Sequence, residues 1–332
     1  MAGDWRDAPD KVAPIVLVLG GFLTSPPLYV PMRRRLLERG AAGVVVASVW
    51  TPDWLLAARR GVGPIVTRSG RALLAAGEMA ARSPRSLGAP LLVVGHSAGG
   101  ITARLLTSPE SFAGRRLGAA GRIGAIVTLG TPHRVTQAGW AGRRLADAAT
   151  EFANRVVPGP AFAPTTGYLA VASRYRVGRR HGDRSERSAF AVYRSVLAEA
   201  ADAANAADAA DAANAPGIDA PAGIDADATI DGDGLVPVPS AALAGVEAIV
   251  LEGIAHGQAR RAPWYGSDEA LDVWWPRAVA VWQAALQARL GDPRPIVARS
   301  EALSELDSID DGGPSRVSSE VAGWSSGSSS GS

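Results

Sequence analysis

Residues 90–100 read PLLVVGHSAGG, an uninterrupted apolar run followed by Gly-His-Ser-Ala-Gly and then by ITARLL, a segment with helical spacing. Apolar runs without polar alternation form strands that are covered on both faces. GxSxG at Gly95–Gly99, placed between such a strand and a helix, marks a nucleophile elbow, whose turn is too tight for side chains two residues either side of the serine. The bare pattern recurs at Gly323–Gly327 and Gly327–Gly331. Only the copy at Ser97 joins a strand to a helix, so Ser97 is the candidate nucleophile; the alternative is a serine that merely shapes a turn.

Outward from this elbow, the same alternation repeats along the chain. PIVLVLG (14–20), VVVASVW (44–50), PLLVVG (90–95), IGAIVTLG (123–130), GYLAVASRYRV (167–177) and VEAIVLE (246–252) read as strands. Helical patterns fall at about 28–39, 62–82, 98–107, 184–198 and 268–290. Strands alternating with helices predict an α/β domain over 1–290, with a mostly parallel central sheet and helices on both faces. Two stretches depart from this pattern. Residues 198–228, rich in Ala and Asp and nearly free of large apolar side chains, are expected to be a low-complexity insertion whose first part has helical propensity. Residues 291–332 turn acidic and Ser/Gly-rich and are expected to be a disordered tail.

A serine hydroxyl needs a base, usually a histidine oriented by a buried carboxylate, and on such sheets the order is Ser, acid, His. The chain has four histidines. His96 lies inside the elbow, where its ring cannot turn back on Ser97; His133 precedes any suitable acid; His181 sits in an arginine-rich stretch. His256, in the Gly-flanked loop GIAHGQ after an apolar run, remains as the base. The acid is expected in TIDGDGLVPVP (229–239). Asp233 is favoured because Leu235-Val236 can anchor its turn, and Asp231 is the competitor. Stabilising the oxyanion requires two backbone N–H groups. Ala98, after the nucleophile, supplies one, and Gly20-Gly21 permits a kink that presents the Phe22 amide as the other.

These residues carry a resemblance. VLVLGGFLTSPPLYVPMRRRLLERG, the Asp53-Trp54-Leu55 segment, VVGHSAGG, TLGTPH, DGDGLVPVPSA, LEGIAH and RAPWYGSDEALDVWW, in this order over about residues 12–290, resemble the α/β-hydrolase superfamily, in particular its lipase-like branch of plants and cyanobacteria. The resemblance implies the α/β-hydrolase fold with a small cap or lid insertion over about 133–166. It also implies the roles named above for Ser97, Asp233, His256 and the Phe22 amide, with Gly20 where other lipases carry an oxyanion-loop histidine. The Ala/Asp insertion and the acidic tail depart from the pattern.

Composition bounds the function. With 332 residues, 47% hydrophobic and 20% charged, the chain can build a large core. No apolar run approaches the roughly 18–20 residues of a membrane span, and the N-terminus shows no basic region leading into an apolar one, so no signal peptide is expected. A soluble protein is expected, with cytoplasm and plastid both open. The absence of cysteine rules out disulfides, thiolate metal sites and a thiol nucleophile. Residues 1–200 carry 27 Lys and Arg against 12 Asp and Glu, whereas residues 201–332 carry 7 against 20. The arginines of the basic part lack the aromatic interleaving of a nucleic-acid site, so no nucleic-acid partner is expected.

The expectation is a serine hydrolase acting on a carboxylic ester, a lipid-like acyl ester by preference, with no metal or organic cofactor. Contact with a membrane surface through Arg33, Arg34 and Arg35 is a minority reading. An acyltransferase with the same triad, or a catalytically silent binding module on this fold, are the alternatives.

Overall fold

The computed structural model describes residues 4–134, 141–211, 229–258 and 262–291. Its strands are β1 (Ile15–Leu19), β2 (Gly43–Val46), β3 (Leu91–His96), β4 (Ile123–Leu129), β5 (Gly167–Arg174), the short β6 (Arg176–Gly178) and β7 (Ile230–Gly232), and β8 (Ala248–Glu252). Six of them form one sheet in the order β2-β1-β3-β4-β5-β8, every neighbouring pair parallel. The helices are α1 (Val30–Glu38), α2 (Thr51–Arg60), α3 (Gly63–Arg82), α4 (Ala98–Thr107), α5 (Ala141–Val156), α6 (Arg184–Asp211), α7 (Val238–Ala241) and α8 (Asp268–Gly291). The architecture is α/β, a parallel six-stranded sheet flanked by helices.

Successive strand residues point to opposite faces, and both faces are dry. Ile15, Leu17, Leu91 and Val93 join Leu73 of α3 and Ile101 and Leu105 of α4 in one core layer. Val16, Val18, Leu92 and Val94 join Met32 and Leu36 of α1 and Trp274 and Trp282 of α8 in the other. Two covered faces explain why these strands read as continuous apolar runs. Each fully buried aliphatic side chain among them contributes about 1.5–3 kcal/mol.

Three elements differ from the sequence expectation. The strand expected at 44–50 stops at Val46, and α2 follows from Thr51, its start marked by the Trp50 amide donating to Asp53 Oδ2 at 2.8 Å. The strand expected at 167–177 breaks at Tyr175: β5 stays in the sheet, while β6 leaves it to pair antiparallel with β7. Helix α6 continues past residue 198 to Asp211, in keeping with the alanine content there. Residues 212–228 of the expected insertion, and the tail from 292 onward, lie outside the described residues. Within 133–166, where a cap was expected, α5 packs on α4 and α2; residues 135–140 lie outside the description.

The opposite charges of the two parts of the chain meet across the fold. Arg35 of α1 and Arg39, which follows its end, pair with Asp268 and Asp272 of α8 at 2.6–2.8 Å, and Arg174 of β5 pairs with Asp231 of β7 at 3.4 Å. Arg33 Nε donates to the Val44 carbonyl, and Arg34 faces Glu38. Among the described residues no helix is long and apolar enough to cross a membrane.

From β1 the chain moves outward to β2, and from β3 it moves the other way to β4. The loops after β1 and β3 therefore diverge, leaving a crevice at the carboxyl ends of these strands, the position at which open α/β sheets bind ligands.

Candidate active site

Ser97 stands at this crevice, between the last residue of β3 and the first of α4, with φ 54° and ψ −128°. A non-glycine residue in this region costs on the order of 1–3 kcal/mol and persists only where its surroundings hold it. Here the Ser97 amide donates to the Leu129 carbonyl at 2.8 Å, while the Ser97 carbonyl accepts from the Gly100 amide at 3.0 Å and from Thr131 Oγ1 at 2.9 Å. The turn also brings α4 hard against β1: a Cβ on Gly99 would overlap the Leu19 carbonyl and lie 2.8 Å from that of Gly20.

Asp233 follows β7 in a turn whose amides its own side chain collects. Its Oδ1 accepts from Leu235 N at 3.0 Å and Val236 N at 2.7 Å, and its Oδ2 accepts from His256 Nδ1 at 2.7 Å and Tyr265 Oη at 2.9 Å. The His256 backbone N–H donates to the Asp233 carbonyl at 2.9 Å, so the two loops are joined through backbone and side chain alike. Burial pushes the Asp233 pKa up, but the charge and hydrogen bond of His256 and the two amides outweigh it and hold the carboxyl below its ordinary value. Asp231, two residues away, turns outward to Arg174. Tyr265 is fully buried and supplies the fourth donor to Asp233. Its phenol pKa is raised well above normal by burial and by the adjacent carboxylate, so it donates and stays neutral.

The loop after β1 closes the other side of the crevice. Gly21 abuts Ser97, since a Cβ there would lie 2.8 Å from Ser97 Cβ. Phe22 follows in the turn, its ring edge-on to Trp54 at 5.4 Å. Thr24 Oγ1 donates to the Gly21 carbonyl at 2.7 Å and Thr51 Oγ1 to the Leu23 carbonyl at 2.9 Å, pinning the loop at both ends. Ala98 opens α4, where the helix N-terminus favours developing negative charge.

Beside Ala98 lies a cavity of about 40 Å³ walled by Trp54, Val62, Ile65, Ile101, Leu105 and Ala149. A larger depression of about 580 Å³ lies at the opposite end of the sheet, near the starts of β3 and β4, against Trp5, Arg122 and Arg289. It is remote from Ser97, Asp233 and His256. Trp264, Trp274 and Trp275 are core residues: Trp274 Nε1 donates to the Tyr265 carbonyl and Trp275 Nε1 to that of Arg39.

His133 is buried. Its Nδ1 accepts from Arg104, whose guanidinium also reaches the Ala153 and Val157 carbonyls at 3.0 and 2.9 Å and Asn154 Oδ1 at 2.8 Å. Arg104 thereby caps the carboxyl end of α5, which carries partial negative charge. Burial, reinforced by Arg104, lowers the His133 pKa to about 3. Among the described residues no cluster of three or more His, Asp or Glu could hold a metal ion.

No protein-family model matches the chain, and no curated protein does. Among solved structures it is similar to dienelactone hydrolase from Anabaena variabilis (15% identity, 84% of this chain and 86% of that one, TM-score 0.31). It is also similar to tomato methylketone synthase I complexed with 2-tridecanone (10%, 53% and 82%, TM-score 0.31) and to polyneuridine aldehyde esterase (14%, 43% and 48%, TM-score 0.24). The match spans less than half the length of the esterase, and 40% of a variant of the tomato enzyme complexed with beta-ketoheptanoate. With TM-scores at or below 0.31 these likenesses carry no weight for the chemistry, which rests on the residues themselves.

Proposed function

We propose that the protein is a serine hydrolase of carboxylic esters, with an acyl ester of lipid-like character as substrate. The observation that carries this reading is the buried Asp233–His256 pair, bonded at 2.7 Å and set beside the strained Ser97 elbow at the sheet's switch point. Asp233 holds Nδ1 of His256, so Nε2 is the nitrogen that takes the Ser97 proton as Oγ attacks the ester carbonyl carbon. The oxyanion that forms is held by the Ala98 and Phe22 amides. Nε2 then returns the proton to the departing alcohol, leaving an acyl-serine. Water, deprotonated by the same nitrogen, attacks this ester; its collapse releases the acid and restores Ser97.

An apolar substrate is supported by the cavity beside Ala98 and by exposed Leu23, Leu28 and Val30 after β1 and Leu235 after Asp233. The resemblance of VVGHSAGG, DGDGLVPVPSA and LEGIAH to the lipase-like branch of plants and cyanobacteria supports the same substrate class. The test is hydrolysis of a p-nitrophenyl ester series from short to long acyl chains, with fluorophosphonate labelling and Ser97→Ala as control. Turnover that rises with acyl length and vanishes in Ser97→Ala is expected. Undiminished turnover in that variant would sink the mechanism.

A further inference from the structure

Two buried side chains outside the triad join its separate loops. The Gly21 amide, in the loop that abuts Ser97, donates to Tyr29 Oη at 2.8 Å. Tyr29 Oη lies 2.9 Å from His96 Nδ1. On the far side of the same ring, His96 Nε2 lies 2.7 Å from the backbone carbonyl of His256. Tyr29 and His96 are 2% and 3% exposed, and Trp264 packs edge-on against both rings, so water does not compete for these groups.

The direction of the chain follows from the chemistry of its ends. A carbonyl oxygen only accepts, so the proton facing His256 belongs to His96 Nε2. The ring is neutral, its pKa lowered to about 3 by burial and by the neighbouring His256, so Nδ1 carries a lone pair and accepts. Tyr29 Oη must then give its single proton to Nδ1 and accept from the Gly21 amide. The more distant Thr24 Oγ1, at 3.2 Å, is the lesser partner for that proton. The sequence of donors reads Gly21 N–H to Tyr29, Tyr29 O–H to His96, and His96 Nε2–H to the His256 carbonyl. It commits the Gly21 amide away from the oxyanion.

We propose that Tyr29 and His96 are positioning residues for the proposed ester hydrolysis. They clasp the oxyanion loop, the elbow and the loop bearing His256 into one frame, so that the separation of nucleophile, base and oxyanion donors is set through a side chain adjacent to Ser97. This inference rests on the serine-hydrolase reading. Small misplacement of reacting groups costs up to about 100-fold in rate.

The test uses the whole chain and a p-nitrophenyl ester that the wild type hydrolyses. Tyr29→Phe removes only the hydroxyl; kcat is expected to fall about 10–100-fold with KM changed less than about threefold, and fluorophosphonate labelling of Ser97 to slow in parallel. His96→Leu is expected to fall as far. His96→Gln, which can still donate to the His256 carbonyl and accept from Tyr29, should recover most of that loss. A merely structural role would lower the fraction of active protein without separating Gln from Leu. A folded Tyr29→Phe with wild-type kcat overturns the inference while leaving the hydrolase reading intact. A wild type that neither turns over nor labels overturns the reading and the inference together. Should the His96 variants fail to fold, nitrogen NMR of the wild-type protein reads the ring directly. A neutral Nε2–H tautomer at pH 5–8 is expected, and an Nδ1–H tautomer overturns the clasp.

Discussion

Asp231 and Asp233 are two residues apart and chemically identical, and only one of them faces a histidine. Asp233→Asn keeps the turn's shape but presents an amide to His256 Nδ1, leaving the ring in the wrong tautomer and unsupported as a cation. By analogy with serine proteases, turnover should fall on the order of 10⁴-fold. Asp231→Asn breaks only the half-exposed pair with Arg174 and should leave kcat within a few-fold. Steady-state kinetics on both variants, with circular dichroism to show that each is folded, decides between them. The reverse ranking would move the acid to Asp231. Ser97, His256 and Asp233 could be singled out as candidates from the sequence because glycines, an apolar strand and the scarcity of histidine mark them locally. Tyr265, Tyr29 and His96 could not be assigned their bonds. Tyr265 reaches across 32 residues to Asp233 and Tyr29 across 67 to His96, and nothing local in WYG or PPLYVP signals such a partner.

At the scale of elements, the continuous apolar strands were legible because two covered faces leave no other composition open. What escaped was decided by neighbours. α2 is amphipathic over only ten residues and begins at Thr-Pro, so the preceding run VVVASVW reads as one longer strand. β6 departs from β5 because its partner β7 lies more than 50 residues later. α5 owes its position to Arg104, a buried cation of α4 answered by carbonyls and an amide oxygen rather than a carboxylate. Arg104→Leu leaves the Ala153 and Val157 carbonyls buried without that donor. A loss of about 1–3 kcal/mol in urea unfolding is expected. An unchanged midpoint and slope would mean that α5 is held by its apolar contacts alone.

For the whole molecule, the two deeply buried histidines make stability depend on pH. His96 and His133 both have native pKa values lowered to about 3, chiefly by burial, whereas an unfolded histidine titrates near 6.5. Between those values the unfolded chain binds more protons than the native one. The stabilisation is complete above pH 6.5 and is lost as pH falls toward 3. From pH 7 to pH 5 the two sites together should cost on the order of 4 kcal/mol, measurable as a falling urea midpoint. A midpoint constant over that range would show that both rings take up a proton in the native state as readily as in the unfolded chain. The charge asymmetry, legible as a count, acquires meaning only in the folded chain, where Arg35 and Arg39 meet Asp268 and Asp272. A break between Asp211 and Thr229 would divide the protein into a basic piece holding Ser97 and an acidic piece holding Asp233 and His256. Neither piece has all of Ser97, Asp233 and His256, yet their charges attract, and the tryptophans of α8 have an apolar seat waiting on the sheet. Co-expressed, the two should reassemble and regain ester turnover, faster at low ionic strength than at high. The protein would then serve as a split reporter whose own electrostatics bring its halves together.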